Sequence, residues 1–319
     1  MSVNMSLTRW GVRVPLQGRM AALRLAARRG VGADMELVLG TAQLRSPYGV
    51  TRTSDGAPRA EDAVAILAAA SAAHVDALDT APAYGSAEAT IGAAGCTLAV
   101  HTKIDPDSDP ATSLAGSLAR LQRDRVEILY LHDASEVLRP DSAVVEAAYR
   151  LVGHGIDVLG ASVYEAEEFD AAVADPRIGA IQAPLNVFDR RIDAARLARA
   201  AAGGVRVYAR SVLLQGVLVA SPDWVEGVLP GLGRYVTDFQ AIARACGRPP
   251  LDLAIGWARA MPGVRGAVLG AGSIEELRGL VSAFRSEPLE EGVLTALREI
   301  DRPECSLCDP RQWSGSRDH

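Results

Sequence analysis

The chain has 319 residues, 49% hydrophobic and 23% charged, which suffices for one large core and for an α/β barrel as a single domain. A formal net charge of -6 argues against a nucleic-acid partner, and no apolar run is long enough to span a bilayer. Of four cysteines only Cys305 and Cys308 form a C-x-x-C, and no second pair completes a zinc site, so free thiols in a reducing cytoplasm and no metal are expected.

Residues 1–34 carry six arginines against one acid, Asp34, and lack a signal-peptide core. They read as a basic leader, disordered or non-native, because Met35 stands directly before the first apolar strand. From residue 36 a short apolar strand, a turn and an Ala/Leu-rich helix repeat. Strands are predicted over 37–40, 77–79, 98–103, 128–132, 158–161, 180–182, 205–209 and 265–269. Helices are predicted over 61–73, 86–94, 111–121, 141–152, 165–174, 193–201, 251–260 and 274–283. Eight such units predict a closed (β/α)8 TIM barrel over 35–319. A doubly wound sheet is disfavoured, since no G-x-G-x-x-G follows the first strand. Residues 222–244 are extra material before the seventh helix. From 287 onward come a further helix and an irregular tail, CSLCDPRQW.

Active sites of such barrels lie at the C-terminal strand ends. ALDTAPAYG places Asp79 at one end and Tyr84 just beyond, VHTKI places Lys103 at the next, and YLHD places His132 at the one after. A phenol needs help to exchange protons at neutral pH. An ammonium beside it eases its ionisation, and a buried carboxylate keeps that ammonium charged. A histidine can orient a carbonyl oxygen. This set suits proton delivery to a carbonyl oxygen while another group attacks its carbon. Lys103 is the single lysine among 33 basic residues, as if arginine could not replace it. Taken singly, Asp79 could cap a turn, His132 could be a core histidine and Tyr84 could be packing. Three successive strand ends make the joint reading stronger.

ALDTAPAYG, VHTKI and YLHD resemble the motifs of the aldo-keto reductase family, as do LGTAQ at the first strand end, IQAPLNVFDRR at the sixth and YARSVLLQGVL at the seventh. The resemblance runs from about 37 to 284, and the LGTAQ opening is similar to a bacterial subgroup associated with sugar or secondary-metabolite pathways. It implies a TIM barrel that binds a nicotinamide dinucleotide without a Rossmann domain. It also implies Tyr84 as the acid, Lys103 and Asp79 as its tuners, and His132 as the carbonyl orienter. Carried over by position, Thr41, Ser162 and Gln182 match contacts to the nicotinamide, with Arg210 in place of a stacking tyrosine. Ser211, Leu213, Gln215 and Gly216 match the pyrophosphate loop, and Gly270, Ser273 and Glu276 the adenosine segment. NADPH is the cofactor the family implies; Glu276, and Leu280 in place of a frequent asparagine, leave NADH open. Tyr48 and Asn186 are expected at the substrate, with Tyr164, Phe188 and Trp313 also at the mouth. The expected partner is a small carbonyl compound. The competing expectation is a nucleotide-binding regulatory member on the same barrel.

Overall fold

A computed structural model describes residues 35–45 and 58–313. The leader over 1–34 and Tyr48 lie outside the described residues. The strands are β1 (Glu36–Gly40), β2 (Ala77–Asp79), β3 (Ala99–Lys103), β4 (Val126–Leu131), β5 (Ile156–Ser162), β6 (Ala180–Pro184), β7 (Arg206–Arg210) and β8 (Val264–Gly270). Each pairs in parallel with its sequence neighbour, and β8 returns to β1, so the barrel is closed as the repeat predicts. Helices α1 (Ala60–Ala72), α2 (Ala87–Ala93), α3 (Pro110–Leu121), α4 (Ala143–Tyr149), α5 (Ala166–Ala174) and α6 (Ala194–Ala202) follow the first six strands in turn. The extra material after β7 forms α7 (Pro222–Val228) and α8 (Gly233–Ala245). Then come α9 (Pro250–Arg259), α10 (Ile274–Phe284) after β8, and α11 (Glu291–Glu299) before the tail. Asp109, Asp193 and Ser273 start α3, α6 and α10 by accepting hydrogen bonds from first-turn N–H groups, which have no acceptor inside the helix.

Alternation along the strands divides the core. Outward residues such as Val100, Leu129, Ile181 and Val207 pack with Ile66, Leu114, Phe169 and Leu197 of the helices. Inward residues Val38, Ala77, Ile128, Tyr130, Ala180 and Tyr208 fill the barrel. Two glycines make room for the two tyrosines. A Cβ on Gly160 would stand 2.5 Å from the Tyr130 ring, and one on Gly266 would stand 2.8 Å from the Tyr208 ring. The N-terminal strand ends carry a polar group of their own. His101 lies edge-on to Tyr208 at 5.0 Å, with its Nε2 3.5 Å from Glu127 Oε2. Arg206 Nη1 donates to Glu127 Oε1 at 2.5 Å, and Tyr208 Oη to Glu36 Oε2 at 2.8 Å.

A second apolar cluster joins α8, α9 and α11 to the tail through Phe239, Trp257, Leu297 and Trp313. Phe188 and Trp313, expected at the mouth, are buried in it instead. Their size favours burial over solvation, and the helices inserted after β7 supply the partners.

Candidate active site

The C-terminal ends of β1, β2, β6, β7 and β8 open onto a cavity of about 650 Å³, a size typical of small-molecule and cofactor sites. Asp79 and Lys103 end β2 and β3 with their side chains almost fully buried. Lys103 Nζ donates to Asp79 Oδ1 at 2.8 Å, to Oδ2 at 3.0 Å and to the Thr80 carbonyl at 2.9 Å. Three donors thus meet three acceptors, the condition under which a buried ammonium is tolerated. Gln182 Nε2 adds a bond to Asp79 Oδ2 at 2.8 Å. Both the N–H and the hydroxyl of Thr41 donate to the Asp79 carbonyl at 2.9 Å. The carboxylate is therefore fixed from β3 and β6, and the Asp79 backbone from the end of β1.

Tyr84 follows β2 in the turn that opens α2, half-buried and facing the cavity. Lys103 Nζ stands 4.9 Å from the centre of its ring. Burial pushes the phenol pKa up and the Lys103 charge pulls against it, with a net rise. Tyr84 therefore holds its proton at neutral pH. Burial also opposes the Lys103 charge, but Asp79, with Tyr84 adding to it, outweighs burial and keeps the ammonium pKa raised. His132 lies one residue past β4. Burial, then Lys103, lower its pKa, so its imidazole is neutral near pH 7. Its Nδ1 is buried without a hydrogen-bond partner. A protonated phenol with a locked ammonium beside it can receive an oxygen that gains negative charge, while His132 is not among the residues of the cavity wall.

Ten of the eleven positions expected at a cofactor line the cavity: Thr41, Gln182, Arg210, Ser211, Leu213, Gln215, Gly216, Gly270, Ser273 and Glu276. The exception is Ser162, which is buried at the end of β5 away from the wall. The loop after β7 turns sharply. Ser211, Leu214, Gln215 and Gly216 have φ of 56°, 48°, 52° and 92°. Three side-chain-bearing residues in the left-handed region are costly, and such strain gathers at ligand sites. Runs of this kind also form backbone concavities for anions. With Ser211 and Gln215 on the same wall, the donor set fits a ligand carrying phosphates. Glu276 Oε2 accepts from Gly272 N at 2.7 Å, and Ser273 Oγ accepts from Glu276 N at 3.0 Å. Glu276 thus braces the turn into α10 as well as lining the cavity.

Asn186, expected at the substrate, is not among the residues of the cavity wall. It is fully buried, its Oδ1 accepts from Phe188 N and Asp189 N at 3.0 and 2.9 Å, and its Nδ2 donates to Ser211 O at 3.1 Å. With these three bonds to backbone, Asn186 braces the loop after β6 against the one after β7. Tyr164 also has a different task. Its ring lies between two guanidiniums, with Arg210 Cζ 3.9 Å and Arg311 Cζ 3.8 Å from its centre. Sequence reasoning missed this stack and the Gln182–Asp79 bond, since neither partner is near the other in the chain. It also missed Gln43, Val219, Leu251 and Gly272, which line the cavity beside the predicted residues. Among the described residues no group of His, Cys, Asp and Glu could hold a metal, and no helix is long and apolar enough to cross a membrane.

Solved structures similar to this one include the holo form of an aldo-keto reductase from Bacillus halodurans, at 20% identity and TM-score 0.66, covering 86% of this chain and 97% of that one. A Pseudomonas aeruginosa protein described as an aldo-keto reductase is similar at 22% identity and TM-score 0.60, covering 80% and 93%. At these identities the likeness is one of fold. The comparison with curated proteins returned no match. The model of the Aldo/keto reductase family, however, matches residues 36–302, most of the chain, and the protein belongs to that family.

Proposed function

We propose that this protein reduces an aldehyde or ketone to an alcohol with a nicotinamide dinucleotide, Tyr84 supplying the proton. Family membership carries the coarser statement, an oxidoreductase acting on carbonyl groups. The finer one rests on the saturated Asp79–Lys103 pair beside a protonated Tyr84 at the end of the cavity. Bound in that cavity, the nicotinamide supplies the hydride. Tyr84 holds the carbonyl oxygen and gives it the proton. Lys103 stabilises the phenolate left behind, and Asp79, held by Gln182 and Thr41, keeps Lys103 charged and in place. His132 donates to the same oxygen and sets its direction. The loop from Ser211 to Gly216 faces the ligand's phosphates. The substrate is a small carbonyl compound, and the compartment we propose is the cytoplasm, consistent with four cysteines that form no disulfide.

NADPH is the cofactor the family suggests, and one feature favours NADH as a second reading. Among the described residues of the cavity wall, Arg210 is the sole cation, while Glu276 places a carboxylate at the other end. Arg278 is exposed two residues on, about 200° round the helix from Glu276. A 2′-phosphate beside Glu276 would meet like charge. Nicotinamide fluorescence on titrating NADPH and NADH, followed by oxidation rates with a panel of aldehydes and ketones, tests the proposal. Absence of binding by both cofactors overturns it, and binding without turnover of any carbonyl supports the regulatory alternative. Glu276→Arg is expected to strengthen NADPH relative to NADH about tenfold or more; an unchanged ratio removes Glu276 from cofactor choice.

A further inference from the structure

Arg210 ends β7 on the wall of the cavity that also holds Asp79, Tyr84 and Gln182. One face of its guanidinium rests on Tyr164 at 3.9 Å, Nη2 donates to the Val163 carbonyl at 3.0 Å, and Nη1 reaches Ser211 Oγ at 3.5 Å. Among the described residues no carboxylate pairs with it. This sets it apart from its neighbours. Lys103 is neutralised by Asp79. Arg311, on the far face of Tyr164, is paired with Asp309 and Glu165. The hydride-exchanging end of the cavity thus keeps one uncompensated positive charge, pinned on a wall and unable to swing to solvent while the stack holds. The charge is felt there, since it lowers the proton affinity of both Tyr84 and His132.

We propose that Arg210 biases the cavity toward the reduced cofactor and against the oxidised one. The inference rests on the reading of the cavity as a nicotinamide dinucleotide site. Hydride goes to the carbon bonded to the oxygen that Tyr84 protonates, so the ring lies at the Tyr84–Arg210 end. A reduced nicotinamide ring is neutral, and an oxidised one carries +1. A fixed cation nearby leaves the first almost untouched and repels the second through a partly desolvated medium. Spent cofactor is then held weakly and leaves readily, which suits a reductase. Two other tasks for Arg210 predict different behaviour. A clamp on the pyrophosphate would hold both redox forms equally, and a partner for an anionic substrate would leave both unaffected.

Dissociation constants of the binary complexes separate these, because Tyr84 keeps its proton in both and only the ring charge changes. Wild type, Arg210→Met and Arg210→Lys are titrated with NADPH, NADP+, NADH and NAD+ by calorimetry. Wild type is expected to bind the reduced form about tenfold or more tighter than the oxidised form. Arg210→Met is expected to lose that preference by tightening the oxidised form, and Arg210→Lys to keep most of it because the charge remains. Equal affinity for both forms in the wild-type protein overturns the proposal without any variant. So does a Met variant that weakens both forms alike or changes neither. If no dinucleotide binds the wild-type protein, the cofactor reading itself fails and the proposal with it.

Discussion

Lys103 shows at single-residue scale why one amine is kept in a chain whose other basic residues are arginines. Its three bonds, to two carboxylate oxygens and a carbonyl, fit the three-fold geometry of an ammonium inside a site that is 2% exposed. A planar guanidinium matches neither the volume nor the directions. Lys103→Arg is therefore expected to cost kcat about as much as Lys103→Met, and an Arg variant working near the wild-type rate would remove this account. Tyr84→Phe keeps the ring against Lys103 and removes only the proton. Carbonyl reduction is expected to fall by roughly 10²–10⁴-fold, the usual contribution of a general acid, with cofactor affinity nearly unchanged. A variant that retains a tenth of kcat shows that another group supplies the proton. The residue identities in this group were legible from the chain. The upward pKa of Tyr84 was not, because burial is set by neighbours the sequence does not place beside it.

Elements decide how those residues meet. β4 and β5 pair side by side with Gly160 opposite Tyr130, and the fully buried Tyr130 ring occupies the space that this glycine leaves. In Gly160→Ala the new methyl would also stand 3.0 Å from the Ala180 carbonyl, so neither side can give way. Overpacking of this kind typically costs about 1–3 kcal/mol. Denaturant titration is expected to show a lower midpoint at unchanged slope, and an unaltered midpoint would mean that the barrel interior is slack at this level. Each strand and each barrel helix was legible from its apolar run and its punctuation. The task of the segment after β7 was not. Its length announced extra material, but only packing shows that α7 and α8 bury Phe188 and draw Trp313 from the mouth into a second core.

At the scale of the whole molecule, the end of the barrel remote from the cavity carries its own electrostatics. Glu127 is held at about 2, against an ordinary 4.5, chiefly by His101, whose Nε2 lies 3.5 Å from its Oε2, with Arg206 adding to it. The folded protein therefore keeps Glu127 ionised at pH values where the unfolded chain has already taken up the proton. Its contribution to stability is present above about pH 4.5 and is lost as the pH falls toward 2. Urea midpoints of wild type and Glu127→Gln are expected to differ clearly at pH 6 and to converge as pH drops through 4 to 3. A difference that stays constant over that range would show that Glu127 is not held by charge in the native barrel.

Taken alone, the sequence determined the eightfold repeat, the closed parallel barrel and the places of Asp79, Tyr84, Lys103 and His132 at or just past the C-terminal strand ends. Strand periodicity and the rule that barrel sites lie at C-terminal strand ends act locally, so these features are written in short stretches of chain. The tertiary structure decided what lies between stretches. It took Asn186 from the substrate to a loop brace, set Ser162 off the cavity wall and turned Gln182 onto Asp79 across 103 positions of sequence. It also left Arg210 without a carboxylate while giving one to Arg311. Which cation finds a counter-charge depends on distances across the closed barrel, and no periodicity or motif in the chain carries that information.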